Sequence, residues 1–379
     1  MTKHAIVFGV HPWGGPFQLG AHHLARALAR EGFEPLYVAA PLSPPHLAGV
    51  LSPALRRRWS EVFVPPEGGE VRVLAPFTLT PLSARWGADD DANLARWPHA
   101  TLPSFVQTLR KLGFVQPDLA ILDGPLQLAA ARLAQPRRLV LRIFDRFAHM
   151  PGMTPALNRL AHEAAREAAL TICSAHDLEA DARALGARRV LVLPNGVDAA
   201  HFAATSAPPA DYAAIPRPRA LYVGQTKGLF DPSLLARVAA ERPDVSFVII
   251  GPSAPLNALG AASNVHLLGE RSWRDLPAYL EHADVGLIPF DSSGQAAYAA
   301  GVQPLKLYEY LAAGLPVVST PWPELARIGA PGVTLAPAAQ FAAAIDAAVA
   351  QPPARETFRD FAASADWRAR VRMLLEALD

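Results

Sequence analysis

Several features that mark large protein classes are absent from this 379-residue sequence. It has one cysteine, Cys173, which excludes a disulfide scaffold and a cysteine-based zinc cluster and fits a reducing compartment. Its formal net charge of +1 lacks the basic surplus of a nucleic-acid-binding protein. No apolar run is long enough to cross a bilayer, and residues 1–3 lead into a strand-like segment, not a signal peptide. We therefore expect a cytoplasmic protein without a nucleic-acid partner, either free or peripheral on the cytoplasmic face of the inner membrane.

What the sequence does contain is a repeated alternation of short apolar runs with helical segments. The first run is Ala5–Gly9, and the pattern restarts at Ala220–Gly224 after a proline-rich stretch that we interpret as a linker, 207–219. Such alternation predicts parallel sheets, and the length suits two domains. We predict an α/β fold of two doubly wound, Rossmann-like domains facing a cleft. The predicted parts are an N-terminal domain, a C-terminal domain and a terminal helix packing back on the first domain: 1–200, 201–354 and 355–379.

The segment 301–320 carries the strongest local signals. Pro304 suits the first turn of a helix, and Gly314 suits its end. Lys306 and Glu309 lie three residues apart and therefore share one face of the first turn. A helix N-terminus carrying a lysine attracts anions such as a diphosphate, and the glutamate could accept hydrogen bonds from sugar hydroxyls. The alternative interpretation is a surface ion pair worth roughly a few tenths of a kcal/mol.

Two predicted strands of the second half end in glycine, at Gly224 and Gly251. Ligands of open α/β sheets bind beyond the carboxyl ends of the strands, and glycine lets the backbone approach a ligand closely. Both glycines are therefore candidates for nucleotide contact. Tight turns without a ligand are the alternative interpretation.

The loop that follows the first predicted strand, residues 10–20, is rich in glycine and proline. Its glycine spacing does not match the dinucleotide-binding fingerprint. His11, Trp13 and Gln18 could line a sugar site on the acceptor side, because aromatic faces and amides suit sugars. A plain connecting loop is the alternative. His22, at the start of the next helix, is expected to be structural.

A carboxylate that could act as a general base follows the predicted strand Arg138–Phe144. Asp145 lies immediately beyond this strand, where sheets of this class bind ligands. The alternative is an N-cap for the helix that follows. The acidic run Asp89–Asp91 is interpreted as a solvated loop or helix cap, so we expect no metal site.

One basic and aromatic segment could contact a membrane. Leu51–Phe63 places Arg56, Arg57, Arg58 and Trp59 on one short amphipathic piece, which could lie on an anionic lipid surface. A solvated basic helix face is the alternative. Three aromatic residues in the region that follows are expected to face the cleft or a membrane: Trp86, Trp97 and Phe105.

The second half resembles the donor-nucleotide region of the two-domain GT-B glycosyltransferases. The matching segments, spread over residues 220–320, are ALYVGQTKGLFDPSLL, VSFVIIG, NVHLLGE, ADVGLIPF and PLKLYEYLAAGLPVV. Their order and spacing are similar to those of the membrane-associated glucuronosyltransferases of xanthan assembly. In the first half, only RIFD and the NGVD run look like that family's strand-end aspartate and interdomain turn.

The resemblance implies roles for individual residues. Asp145 would be the catalytic base of an inverting transfer, and Lys306 would be the donor-site lysine. The further residues implied on the donor side are Gly224, Lys227, Gly251, Phe290 and Glu309. Two departures from the patterns concern the donor sugar and the mechanism. The xanthan enzymes have glutamine where this chain has Glu309, and many retaining GT-B enzymes have a second glutamate where this chain has Gly301.

Together these signals predict an inverting, metal-independent glycosyltransferase that requires no cofactor. It would move a sugar, glucuronate or a neutral hexose, from a UDP-sugar to a glycan or lipid-linked acceptor in exopolysaccharide biosynthesis. The alternatives are a retaining GT-B transferase with another nucleotide sugar, a GT-B epimerase or phosphorylase, and an inactive sugar-nucleotide-binding protein. Asp145 separates these hypotheses, because a binding module needs no general base.

Overall fold

The structure is a computed structural model that divides into two compact units. Unit 1 comprises Met1–Pro194 and Trp367–Asp379, and unit 2 comprises Asn195–Asp366. The structure describes residues 2–49, 55–56, 58–59, 70–82, 89–150, 152–252, 256, 259, 262–291, 294, 296–351 and 354–379. Among these residues, no helix combines the length and the apolar character needed to cross a bilayer.

Unit 1 is built on a seven-stranded parallel sheet in the order β3-β2-β1-β4-β5-β6-β7. Its strands are β1 (Lys3–Gly9), β2 (Phe33–Ala39), β3 (Arg72–Leu74), β4 (Leu119–Leu122), β5 (Leu139–Ile143), β6 (Leu170–Cys173) and β7 (Val190–Val192). The central strand β4 is a continuous apolar run because helices cover the sheet on both faces.

The helices of unit 1 before residue 194 accompany its strands, and a side-chain cap marks the start of the second and the fifth of them. They are α1 (Gly20–Arg30), α2 (Asp91–Arg96), α3 (Phe105–Leu112), α4 (Leu128–Ala134), α5 (Pro155–Glu167) and α6 (Leu178–Ala184). Short 3-10 helices cover Pro44–Gly49, Trp97–His99, Pro125–Gln127 and Phe147–His149. At the start of α5, the Thr154 hydroxyl accepts a hydrogen bond from the Leu157 N–H at 3.2 Å, and Pro155 fixes the first turn.

Unit 2 repeats the architecture with a six-stranded parallel sheet in the order β10-β9-β8-β11-β12-β13. The strands are β8 (Arg219–Val223), β9 (Ser246–Ile250), β10 (Val265–Gly269), β11 (Val285–Ile288), β12 (Val317–Ser319) and β13 (Val333–Leu335). The predicted fold class, α/β with two doubly wound Rossmann-like units, is confirmed.

The helices of unit 2 pack on both faces of this sheet. They are α7 (Ala199–Phe202), α8 (Ala210–Ala213), α9 (Pro232–Glu241), α10 (Leu276–Glu281), α11 (Ala296–Ala299), α12 (Leu305–Ala312), α13 (Pro323–Ile328), α14 (Phe341–Ala350) and α15 (Arg355–Ser364), with 3-10 helices at Trp273–Asp275 and Ala338–Gln340. At the start of α9, the Asp231 carboxylate accepts a hydrogen bond from the Leu234 N–H at 2.9 Å, which fixes the predicted first residue.

The last helix, α16 (Trp367–Leu378), returns to unit 1 and packs on α1. The Trp367 ring stacks on His23 with centroids 5.5 Å apart, and Arg368 and Arg372 each lie 3.0 Å from the Glu31 carboxylate. The chain therefore passes from unit 1 to unit 2 after residue 194 and returns to unit 1 after residue 366. From the sequence we placed these boundaries after residues 200 and 354. The proline-rich stretch 207–219 contributes α8 to unit 2.

Two predictions about aromatic residues were wrong. Trp97 and Phe105 were expected to face a cleft or a membrane, but both are buried in the core of unit 1, at 0% and 1% exposure. The Trp97 Nε1–H donates a hydrogen bond to the Leu126 carbonyl at 3.2 Å, so even its polar atom is satisfied inside. Trp86 lies outside the described residues.

Candidate functional site

The sheet of unit 2 changes winding direction between β8 and β11, because β8 neighbours β9 on one side and β11 on the other. Open α/β sheets bind ligands at the carboxyl ends of the two strands that flank such a switch point. The predicted donor residues lie at this edge. Gly224 directly follows β8, Gly251 directly follows β9, and Phe290 is the second residue after β11.

Both predicted glycines stand where a side chain would not fit. A Cβ on Gly251 would lie 2.1 Å from the Gly224 carbonyl oxygen, so the two backbones are in direct contact. Gly224 has a φ of +140°, a conformation that L residues rarely adopt. Lys227, the other predicted residue of the loop after β8, is exposed.

Lys306 lies in the first turn of α12, and its ammonium group reaches the end of β8. Its Nζ lies 3.5 Å from the Tyr222 hydroxyl oxygen, 4.6 Å from the centre of the Tyr222 ring and 4.7 Å from the centre of the Phe290 ring. Aromatic faces attract cations, so these contacts hold the ammonium in place. Burial lowers the pKa of Lys306 to about 8, although Glu309 opposes the shift. Tyr222 was not identified from the sequence.

Glu309 stands one turn further along α12 and is half-buried. Burial raises the pKa of its carboxyl group to about 7, and the nearby Lys306 opposes that shift. The two groups therefore shift towards their neutral forms in the ligand-free protein. An anion beside Lys306 would favour the charged ammonium form of this lysine, and the carboxyl oxygens of Glu309 could accept hydrogen bonds from hydroxyl groups.

Unit 1 has its own switch point between β1 and β4. His11 follows β1 in the predicted acceptor-side loop, and Asp123 directly follows β4. Asp123 is buried and pairs with Arg142 at 2.5 Å. Burial raises the pKa of the Asp123 carboxyl group, while Arg142 opposes the shift. The sequence analysis missed this pair, although an aspartate after the apolar run of β4 was a usable signal.

The loop at 10–20 is held from several sides. The Tyr37 hydroxyl donates a hydrogen bond to the His11 carbonyl at 2.7 Å. The Arg26 guanidinium lies 4.6 Å from the centre of the Trp13 ring, and the Gln18 amide donates to the Trp13 carbonyl at 3.3 Å. His11, Trp13 and Gln18 are therefore brought together on one ordered loop.

His22 connects this loop to α1. Its Nδ1 accepts a hydrogen bond from the Leu19 N–H, and its Nε2–H donates to the Pro12 carbonyl, both at 3.0 Å. Because the carbonyl can only accept, the proton of the neutral ring is assigned to Nε2. Burial lowers the pKa of His22 to about 4, so the ring is neutral near pH 7. Its role is structural, as we expected.

Asp145 is half-buried and lies two residues beyond the end of β5. The short helix that follows begins at Phe147 and has Arg146 at its N-cap position. Arg146 in turn pairs with Asp181 of α6 at 2.9 Å. Asp145 therefore sits at the carboxyl edge of the sheet, one strand away from the switch point of unit 1.

The acidic run at 89–91 has structural partners. Asp89 accepts a hydrogen bond from the Ala156 N–H at 3.1 Å, and Asp90 caps α2. Asp91 pairs with Arg159 at 2.8 Å. Within the described part of the chain, no group of three or more His, Cys, Asp or Glu side chains is arranged to hold a metal ion.

The chain has the fold of the GT-B glycosyltransferases. HepE from Anabaena, solved in complex with UDP-glucose, is 15% identical and superimposes with a TM-score of 0.64 over 99% of both chains. Sucrose-phosphate synthase from Thermosynechococcus elongatus is 16% identical, with a TM-score of 0.67 over 99% of both chains. At these identities the likeness concerns the fold.

Sequence comparison is more specific than the comparison of folds. Residues 220–351 match the family described as Glycosyl transferases group 1. TuaH of Bacillus subtilis, provisionally named a teichuronic acid biosynthesis glycosyltransferase, is 31% identical over 156 residues. That match covers 39% of this chain and 38% of TuaH, so the chain spans well under half of this relative.

Proposed function

We propose that the protein is a glycosyltransferase that uses a UDP-sugar as donor. The observation that carries this proposal is the Lys306 ammonium, held beside Gly224 at the switch point of unit 2. A cation next to the glycine backbone at the end of a parallel strand suits a diphosphate. The family match over 220–351 and the UDP-glucose complex of HepE support the same class of donor.

In this proposal, unit 2 binds the donor and unit 1 supplies the groups for the acceptor. Lys306 stabilises the charge that develops on the departing diphosphate, so transfer requires neither a metal ion nor a cofactor. Glu309 accepts hydrogen bonds from hydroxyl groups of the donor. The loop with His11, Trp13 and Gln18 contributes to the acceptor side.

The finer part of the proposal is an inverting mechanism with Asp145 as general base. The acceptor oxygen forms a bond to the anomeric carbon while the bond from that carbon to the diphosphate oxygen breaks. The hydroxyl proton passes to the Asp145 carboxylate, and UDP leaves with the bonding electron pair. Gly301 at the place of the second glutamate of many retaining relatives supports inversion. A retaining transferase and an inactive nucleotide-sugar-binding protein are the competing functions.

The identities of the transferred sugar and of the acceptor are also part of this proposal. We propose glucuronate or a neutral hexose as the transferred sugar and a glycan or lipid-linked glycan as the acceptor. The similarity of part of the chain to TuaH supports a role in the synthesis of an exported polysaccharide. Such an acceptor would place the protein at the cytoplasmic face of the membrane as a peripheral protein.

An exposed apolar face of unit 1 supports contact with a membrane. Thr78 and Thr101 form an antiparallel bridge and are both buried. Because side chains alternate along extended backbone, the residues next to them point outwards. Leu79 and Leu102 are 54% and 55% exposed there, the highest values among the large apolar residues in the described part of the chain.

Basic and aromatic residues adjoin this face. Phe77 belongs to the same outward side, and the Trp59 ring packs on it with centroids 5.2 Å apart. Arg56, one helical turn before Trp59, is exposed. Arg57 and most of Leu51–Phe63 lie outside the described residues. Apolar side chains beside arginine suit an anionic lipid surface.

Thermal unfolding tests the donor proposal directly. A ligand that binds only the folded protein raises its stability by RT ln(1 + [L]/Kd). We expect UDP, UDP-glucose or UDP-glucuronate to raise Tm by several degrees, and Lys306→Ala to abolish the rise. Lys111→Ala, a change at an exposed lysine of unit 1, should respond like wild type. A panel of UDP-sugars without any shift, or a full shift in Lys306→Ala, would contradict the proposal. Slow hydrolysis of the bound UDP-sugar would separate an enzyme from a binding protein.

A further inference from the structure

Strands β8 and β11 separate towards the edge that carries the donor site. Their ladder, whose residues are all described, pairs Val285 with Ala220 and Gly286 with Leu221 and then stops. Val223, the last residue of β8, therefore has no backbone partner in β11. A buried N–H left without an acceptor would be costly, so another group must fill this place.

The Tyr310 side chain of α12 fills it. Its hydroxyl oxygen accepts a hydrogen bond from the Val223 N–H at 2.8 Å, and the hydroxyl makes a long contact of 3.5 Å with the Leu287 carbonyl of β11. The ring can reach this gap because residue 286 is glycine. A Cβ on Gly286 would lie 2.4 Å from the ring.

This arrangement connects two parts of the donor site. Val223 directly precedes Gly224, while Tyr310 lies one turn after Lys306 and next to Glu309 on α12. We propose that Tyr310 is a positioning residue, whose hydroxyl fixes the end of β8 relative to α12 and thereby sets Lys306 beside Gly224. This inference rests on the proposed donor function of that site. Tyr310 itself is fully buried.

Tyr310→Phe removes the hydroxyl and keeps the ring, so it isolates the bridge. We expect the variant to fold and to bind UDP about tenfold more weakly by titration calorimetry, because the Val223 N–H loses its acceptor. The second readout needs no ligand. The pH dependence of Lys306 acylation, followed by mass spectrometry, should give a pKa about 8 in wild type and a higher value in Tyr310→Phe, since a displaced ammonium is less buried.

Tyr212→Phe is the matched control. Tyr212 is a fully buried tyrosine of the same unit, and its hydroxyl has no hydrogen-bond partner among the described residues. Losing this hydroxyl should change neither the UDP affinity nor the titration of Lys306. Wild-type values of both quantities in a folded Tyr310→Phe variant would overturn the inference.

The two proposals fail in different ways. If wild type binds no UDP-nucleotide, the donor function is lost, but the Lys306 titration still decides whether Tyr310 positions this lysine. If Tyr310→Phe does not fold, hydrogen exchange of the wild-type segment 219–223 takes its place. Slow exchange of the Val223 amide, unchanged in Lys306→Ala, supports the bridge, whereas rapid exchange in the free protein overturns it.

Discussion

The Lys306 Nζ atom lies 3.0 Å from the place that a Cβ on Gly224 would occupy, and Lys306 Cε lies 3.1 Å from it. These distances are shorter than ordinary carbon contacts, so a side chain at 224 would push the lysine away from the end of β8. The positive φ of Gly224 adds backbone strain to the collision. The glycine and the lysine are therefore one structural unit of the proposed donor site.

Gly224→Ala should weaken UDP binding by at least about tenfold while leaving the protein folded, because it displaces Lys306 from its aromatic contacts. Gly228→Ala is the control that separates the backbone strain of a positive φ from the steric collision with Lys306. Gly228 lies in the same loop with a φ of +72°, and a Cβ there would meet no atom within 4 Å. That control should lower stability by roughly 1–2 kcal/mol and keep the UDP affinity. Equal affinities in both variants, measured by calorimetry, would contradict the assigned role of Gly224.

Much of the fold could be predicted from sequence because local signals fix it. The helices Pro232–Glu241 and Trp367–Leu378 have the predicted bounds residue for residue, and the first of them is set by Asp231 and Pro232 at its start. The strand ends of unit 2 followed from apolar runs that stop at glycine. These signals also brought Lys306 and Gly224 together, since both flank the same switch point.

The rest depends on contacts that no local pattern contains. Tyr222 and Tyr310 look like ordinary core residues of a strand and a helix. Their hydroxyl groups gain a role only through contacts made in the folded unit, with Lys306 for Tyr222 and with the Val223 N–H for Tyr310. The Asp123–Arg142 pair joins two strands that are neighbours only in the folded sheet. Trp97 was misplaced because a helical pattern does not tell which other elements cover it.

Glu309→Gln should change how stability depends on pH. Burial raises the Glu309 pKa from its ordinary 4.5 to about 7, so the folded protein holds this proton more tightly than the unfolded chain. Its stabilising contribution is present below pH 4.5 and is lost as pH rises to about 7. Glutamine cannot ionise, so the variant does not lose stability in this way. As pH rises from 4.5 to 7, the Tm of the variant should therefore increase relative to the Tm of wild type.

The matched control for this titration is Glu356→Gln, at an exposed glutamate of α15 in the same unit. Thermal unfolding of the three proteins at constant ionic strength gives the comparison. Parallel Tm curves for wild type and Glu309→Gln across this range would show that the buried carboxyl group does not titrate there.

Leu79→Ser/Leu102→Ser should reduce binding to anionic vesicles in a flotation assay. Each leucine is about half exposed, and its transfer into the lipid interface removes apolar surface from water. Replacing Arg56, Arg57 and Arg58 by serine should weaken binding too, and this contribution should fade with salt.

Val115→Ser/Met373→Ser is the control for the leucine variant. It removes two other exposed apolar side chains, at 42% and 39% exposure. The control should float with the vesicles like wild type. Flotation of the leucine variant equal to that of the control would rule out the face around Thr78 and Thr101 as the contact surface.

Asp145→Asn should abolish transfer without loss of fold or donor binding. The amide keeps the shape and the hydrogen-bonding capacity of the side chain but cannot take the acceptor proton, and removing a general base typically costs on the order of 10²–10⁴ in rate.

Asp181→Asn is the matched control for this variant. Asp181 pairs with Arg146, the neighbour of Asp145, so its loss changes the local charge without removing the base. UDP release in the presence of acceptor measures the rate, and the thermal shift with UDP confirms that the donor still binds. If Asp145 is the general base, the Asp145→Asn variant should transfer slowly and the Asp181→Asn variant should transfer at a near-normal rate. Wild-type transfer by Asp145→Asn would leave the half-buried aspartate a structural role and would favour the retaining mechanism, in which no general base at this position is required.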